Sequence, residues 1–309
     1  MEQRVVGRTG LRVSSLGLGT MTWGRDTDPL DAATMLTEFV EAGGTLVDTA
    51  AGYADGAAEE LLGELLAGTV ARSDVVLVTK AGVRTWRSDR AVVDASRGTL
   101  LDSLDASLSR LGTDHVDVFL VQAPDPFTPM EETAGALRAA VTSGRARYAG
   151  LSNHSGWQCA HMAGLLRPDP GLAVVENEYS LLERGIEREL LPAAQALGIG
   201  VFAWSPLGRG VLTAKYRHST PPDSRAASPH LRAFVAPYLD ERSFGVVEAL
   251  VRAADGLECH PLEVALAWVR SRGVASAIVG PRTPGQLRAI LASDVEVPDV
   301  IARALSDVS

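Results

Sequence analysis

Val75-Val76-Leu77-Val78-Thr79-Lys80 is an aliphatic run of strand length that ends on an ammonium. The chain has only two lysines, Lys80 and Lys215, and carries the rest of its positive charge on arginine. A lysine closing such a run is unlike surface filler: its compact charge can lower the pKa of a neighbouring phenol. Upstream, Val47-Asp48-Thr49-Ala50-Ala51-Gly52-Tyr53 ends a second apolar run on a carboxylate and places a phenol five residues later. Short apolar runs recur at 16–20, 45–48, 75–80, 116–122, 148–152, 173–176, 201–204 and 276–280. Each is too short for a helix, and most are rich in Val, Leu or Ile, as strands buried on both faces are.

Helical patterns lie between these runs. Leu100, Leu104, Leu108 and Leu111 recur at helical spacing, and Gly112 supplies a stop signal. Leu61, Leu62, Leu65 and Leu66 mark another helix, with Glu59 and Glu60 favourable near its start. Eight strands alternating with helices predict a closed parallel (β/α)8 TIM barrel with right-handed crossovers, spanning 1–309 as a single domain. An open doubly wound sheet is the structural alternative. The residues around Gly7 to Gly10 predict a small N-terminal β-hairpin. The segment from about 214 to 242 holds Pro221, Pro222, Pro229 and Pro237 and little regular pattern. It reads either as a loop over substrate or cofactor or as a tolerated insertion.

Composition sets the outer bounds. The chain has 309 residues, 46% hydrophobic and 22% charged, which is ordinary for a globular protein. A net charge of -9 argues against a general nucleic-acid binder, yet leaves room for a few arginines to dominate one pocket. Cys159 and Cys259 form no disulfide framework and no zinc-site spacing. No signal-peptide pattern opens the chain, and no run approaches the roughly 18 apolar residues of a membrane span. The expected location is cytoplasmic, with no membrane partner and no metal.

Together these segments resemble the aldo-keto reductase superfamily, which places an Asp, a Tyr, a Lys and a His at the ends of successive barrel strands. The resemblance runs from about Arg4 to Leu291. It implies Asp48, Tyr53 and Lys80 as catalytic residues and the hairpin as a closure of the barrel bottom. Tyr53 would protonate the carbonyl oxygen, Lys80 would lower the phenol pKa, and Asp48 would hold Lys80 charged. The fourth position departs from the family: Val118-Phe119-Leu120-Val121-Gln122-Ala123-Pro124-Asp125 carries Gln122 in place of histidine. A glutamine amide can donate a hydrogen bond to a carbonyl but cannot titrate. Three outcomes stay open: retained carbonyl reduction, a shift to a conjugated double bond, or a protein that mainly binds cofactor. Among the histidines His154 is nearest to the site in sequence, and it reads as a loop residue.

The resemblance also implies NADP(H). Ser152-Asn153 match the pair that binds the nicotinamide carboxamide. Glu176 stands where the family has glutamine, and a carboxylate accepts from the carboxamide but cannot donate back. Trp204 takes the place of the aromatic that stacks on nicotinamide. Ser205, Leu207, Gly208, Arg209 and Gly210 resemble the pyrophosphate loop, where glycines let the backbone approach phosphate. Gly280-Pro281-Arg282-Thr283-Pro284-Gly285-Gln286 resembles the adenosine-phosphate motif, with Arg282 favouring NADP over NAD and Gln286 in the helix start. Ile290 stands where the family often has asparagine. Trp23 and Trp86, with Phe127, follow strands one, three and four, and either wall a small-molecule carbonyl pocket or simply pack.

Overall fold

The computed structural model describes residues 1–85, 91–222 and 224–309. Eight parallel strands close into a barrel: β3 (Leu16–Gly19), β4 (Leu46–Asp48), β5 (Val76–Ala81), β8 (Val116–Val121), β9 (Ala146–Ser152), β10 (Val174–Glu178), β11 (Gly200–Trp204) and β12 (Ser276–Val279). Pairing of β9 with β10 and of β12 with β3 completes the ring, which excludes the open sheet. The N-terminal hairpin is β1 (Gln3–Val5) with β2 (Arg12–Ser14). A second two-stranded sheet, β6 (Val83–Thr85) with β7 (Ala91–Val93), follows β5 and had no counterpart among the eight predicted runs.

The crossover helices are α1 (Pro29–Glu41), α2 (Ala57–Gly68), α3 (Arg97–Leu111), α4 (Met130–Thr142), α5 (Gly156–Leu165) and α6 (Leu190–Leu197). After β11 come the single turn α7 (Arg232–Val235), then α8 (Glu241–Gly256) and α9 (Pro261–Arg270), with α10 (Pro284–Leu291) and α11 (Asp299–Asp307) after β12. The leucine repeat of α3 ends at Gly112, whose φ of 62° is the left-handed stop expected of it. Glu59 near the start of α2 is fully buried and accepts from Thr79 at 2.5 Å and Arg110 at 2.6 Å.

Strand alternation sorts the core into two shells. Val47, Leu77, Phe119, Val175 and Ala203 join the outer shell between strands and helices. Leu46, Val78, Leu120, Val174, Phe202 and Ile278 fill the barrel interior together with Val6, Leu11 and Val13 from the hairpin, which therefore plugs the bottom. Interior volume is balanced by Gly150, where an added Cβ would lie 2.4 Å from Leu120 Cδ2 and 2.5 Å from the Val174 carbonyl. Because a backbone atom cannot give way as a side chain can, Gly150→Ala should destabilise the fold by about 1–3 kcal/mol, read as a lower urea midpoint.

Candidate active site

Two residues beyond the interior layer, the same alternation aims the next side chains at the open end of the barrel. Asp48 follows Leu46, Lys80 follows Val78, Gln122 follows Leu120, Ser152 follows Gly150, Glu176 follows Val174 and Trp204 follows Phe202. All six line one cavity of about 430 Å³, together with Tyr53, Asn153 and Gly280. Its place at the carboxyl ends of the strands is where barrel sites form.

Lys80 is the hub. Its Nζ donates to both Asp48 carboxylate oxygens at 2.6 Å and to the Thr49 carbonyl at 2.9 Å. It lies 3.3 Å from Glu176 Oε1 and 5.4 Å from the Tyr53 ring centre. Lys80, Asp48 and Glu176 are all buried, so one ammonium faces two carboxylates out of water. Burial alone would depress the lysine pKa, but Asp48 and Glu176 outweigh it and hold the group above its ordinary value. Burial, then the Asp48 carboxylate, pushes Glu176 up to about 8.

Tyr53 requires a correction to the expected tuning. Burial pushes its phenol up to about 12; Lys80 pulls it down, but Asp48 and Glu176 push it up again. Lys80 therefore acts in the expected direction without winning, because burial outweighs it and the two carboxylates add to burial. Tyr53 begins a turn, Tyr53–Gly56, in which Ala54 (φ 49°), Asp55 (φ 53°) and Gly56 (φ 101°) are successively left-handed. Non-glycine residues adopt this region at a cost, and such strain gathers at functional sites. Asn153 (φ 62°) and Ser205 (φ 53°), both on the cavity wall, share it.

Trp204 is held in place from two sides. Its indole Nε1 donates to Asn153 Oδ1 at 3.0 Å, and Asn153 Nδ2 donates to the Gln122 carbonyl at 2.9 Å. Phe234 stacks against it at 6.3 Å between ring centres. The buried Gln122 Oε1 and Glu176 Oε2 have no hydrogen-bond partner.

The phosphate-binding expectations are met unevenly. Ser205, Leu207, Gly210 and Gln286 line the cavity, whereas Gly208 serves the turn behind it at φ 53°. Arg209 lines it too, but its guanidinium is paired with Glu178 at 2.5 Å and lies 4.1 Å from the Phe234 ring centre. Arg282 is half-buried and lies outside the cavity wall, and Gln286 Oε1 accepts from its backbone N–H at 3.0 Å. The cation that enters the cavity is instead Arg225, which donates to the Gly280 carbonyl. Burial, then repulsion from Arg282, lowers Arg225 to about 10. Lys215 lines the cavity as well. Arg225, Lys215 and Phe234 lie in the 214–242 segment, one reading of which is a loop over substrate or cofactor, but no periodicity singles them out within it; the scarcity of lysine is a signal for Lys215 alone.

Of the pocket aromatics, Trp23 is fully buried in the outer core and does not line the cavity. Phe127 is 90% exposed, so it walls nothing. Trp86 lies outside the described residues. His154 is a loop residue as expected; it is buried there, its pKa is lowered to about 4 by burial, and it too stays off the cavity wall. No cluster of metal ligands occurs among the described residues, and no helix there is long and apolar enough to cross a membrane.

The family profile described as Aldo/keto reductase family matches residues 15–299. The chain belongs to the aldo/keto reductase family. Its general chemistry is accordingly that of an oxidoreductase. This aldo/keto reductase is 37% identical to an uncharacterized oxidoreductase of Bacillus subtilis (strain 168), over 100% of its own length and 96% of the relative. It is 34% identical to a probable voltage-gated potassium channel subunit beta of Oryza sativa subsp. japonica, covering 93% of the chain and 89% of the relative. It is also 34% identical to L-glyceraldehyde 3-phosphate reductase of Escherichia coli (strain K12), covering 93% and 86%.

A phenol held near 12 stays protonated where ordinary tyrosines ionise near about 10. In an ultraviolet titration, wild type and Tyr53→Phe should therefore release the same phenolate signal up to a pH of about 10.5, and diverge only above it.

Proposed function

We propose that this reductase is NADPH-dependent and reduces an aldehyde or ketone to an alcohol. The observation that carries the reading is the buried Asp48–Lys80 pair beside the half-buried Tyr53, opening onto the same cavity as Trp204 and Arg225. The cavity suits a dinucleotide in its chemistry: its wall holds a flat indole, unpartnered polar atoms of Gln122 and Glu176, and the cations Arg225 and Lys215. Trp204, Ser152, Asn153 and Glu176 would hold the nicotinamide end. Ser205, Leu207, Gly210, Lys215 and Arg225 would hold the phosphates, with Gln286 at the adenosine. Bound there, the cofactor would be the source of hydride for the carbonyl carbon.

The remaining steps belong to the chain. Tyr53, protonated, donates its O–H to the carbonyl oxygen and passes the proton as charge develops there. Lys80 stabilises the phenolate that results, and Asp48 keeps Lys80 charged and in place. Gln122 offers an uncharged amide to position the carbonyl, without a group that titrates. A relative whose name is L-glyceraldehyde 3-phosphate reductase is consistent with a small carbonyl substrate. The relative described as a channel subunit supports a second reading, in which cofactor binding rather than turnover is the main activity. Consumption of NADPH over a broad aldehyde and ketone panel, against tight binding without consumption, separates the two. A saturated ketone from a cyclic enone would instead indicate reduction of the carbon-carbon double bond.

Tyr53→Phe should lower kcat about 10²- to 10⁴-fold with the NADPH Kd unchanged. Full turnover by that variant would remove Tyr53 as the acid. Arg225→Ala should weaken NADPH and NADH alike by about 10- to 100-fold, as expected for loss of a charge-assisted bond to a phosphate that both cofactors carry. Fluorescence titration with both cofactors measures this.

A further inference from the structure

We infer that Glu176 serves the cofactor as a neutral carboxylic acid, and that its proton makes the protein distinguish reduced from oxidised cofactor according to pH. This rests on the nicotinamide reading of the cavity.

The inference begins with a count of donors. An ammonium has three N–H groups, and Lys80 directs them at Asp48 Oδ1, Asp48 Oδ2 and the Thr49 carbonyl. Glu176 Oε1 lies 3.3 Å from the same nitrogen, a longer contact than the two 2.6 Å bonds to Asp48, while Glu176 Oε2 is buried and unpartnered. The charged and titratable groups facing Glu176 are Lys80 on β5, Asp48 on β4 and Tyr53 in the turn after it. The strands that flank Glu176 bring Ser152 and Phe202 into register with it, and neither titrates. Two ionised carboxylates would leave this buried cluster with a net negative charge. A proton on one of them removes it, as in other carboxylate pairs. Asp48 takes both short ammonium bonds, so Glu176 is the partner that protonates. Burial and the Asp48 charge raise its pKa to about 8, which fits that assignment.

The protonation state decides what Glu176 can offer a ligand. As an acid it presents one O–H donor and one carbonyl acceptor, the complement of a primary carboxamide. As a carboxylate it only accepts. The reduced nicotinamide ring is neutral, so it favours the neutral acid, and its binding at alkaline pH draws a proton from solvent onto Glu176. The oxidised ring carries a positive charge, which favours the carboxylate and offsets that uptake. Rising pH should therefore weaken NADPH relative to NADP⁺. The amide of a glutamine at this position would not respond.

The test measures Kd for NADPH and NADP⁺ by tryptophan quenching from about pH 7 to about 9.5, in wild type and Glu176→Gln. The ratio of the two constants cancels the titration of the phosphates that both cofactors share. The expected ratio of NADPH Kd to NADP⁺ Kd rises about tenfold across that range in wild type and stays within about twofold in the variant, one pH unit beyond the pKa being worth a factor of ten. Calorimetry on wild type alone, in two buffers of different ionisation enthalpy near pH 8.5, should show more proton uptake with NADPH than with NADP⁺; it decides the matter even if Glu176→Gln fails to fold. A flat wild-type ratio, or equal proton uptake for both cofactors, overturns the inference while leaving the nicotinamide reading in place. A slope retained in Glu176→Gln assigns the proton elsewhere and also overturns it. Failure of wild type to bind either cofactor at any pH overturns the nicotinamide reading, and this inference with it.

Discussion

The closed barrel makes every second residue of a strand an inside residue, and an inside residue at the top has no water behind it. That constraint governs the whole site. Below the top layer the alternation is satisfied by aliphatic side chains of matched volume, with glycine where the neighbours are large. At the top it brings Asp48, Lys80 and Glu176 together while burying all three. A buried charge needs a partner in reach. Lys80 and Asp48 satisfy one another almost completely, and the third group is left to resolve its own charge. The chemistry of the cavity follows from this mismatch of one cation to two acids.

The same constraint explains why much of the site was legible in the sequence. An apolar run that ends on a polar residue, repeated around a barrel, identifies the top layer without any knowledge of contacts. Asp48, Lys80, Gln122, Ser152, Glu176 and Trp204 all follow that rule. The eight runs themselves were legible for the same reason, with only their ends shifting by a residue or two, as with β10, which continues to Glu178. Residues placed by long-range contact were not legible. Arg225 reaches the cavity through a bond to Gly280, 55 positions away, and nothing near it in sequence announces that. Trp23 has the opposite character: it follows a strand end like the site residues, but its indole turns into the core outside the barrel. The position of a loop residue says where its backbone lies and leaves the direction of the side chain open.

Magnitude and sign also had to come from the assembled cluster. A lysine beside a phenol lowers its pKa only when the lysine has positive charge to spare. Here burial is the largest influence on the phenol, and the carboxylates nearest Lys80 add to it. Tyr53 is thus kept as a proton carrier by the surroundings of its partner as much as by the partner itself.

The segment after β11 closes over one side of the cavity and is fastened there in two ways. Arg209 donates to the main-chain carbonyl of Phe234, and Arg225 donates to that of Gly280. Both anchors end on backbone rather than on side chains, so they place few demands on the identity of the residues between them. Within the stretch 226–233 Ala226 and Leu231 are buried, but the exposed residues between and beside them are a replaceable part: they can be redrawn, by evolution or in the laboratory, to reshape the rim for a different ligand while the barrel and its charged layer stay as they are.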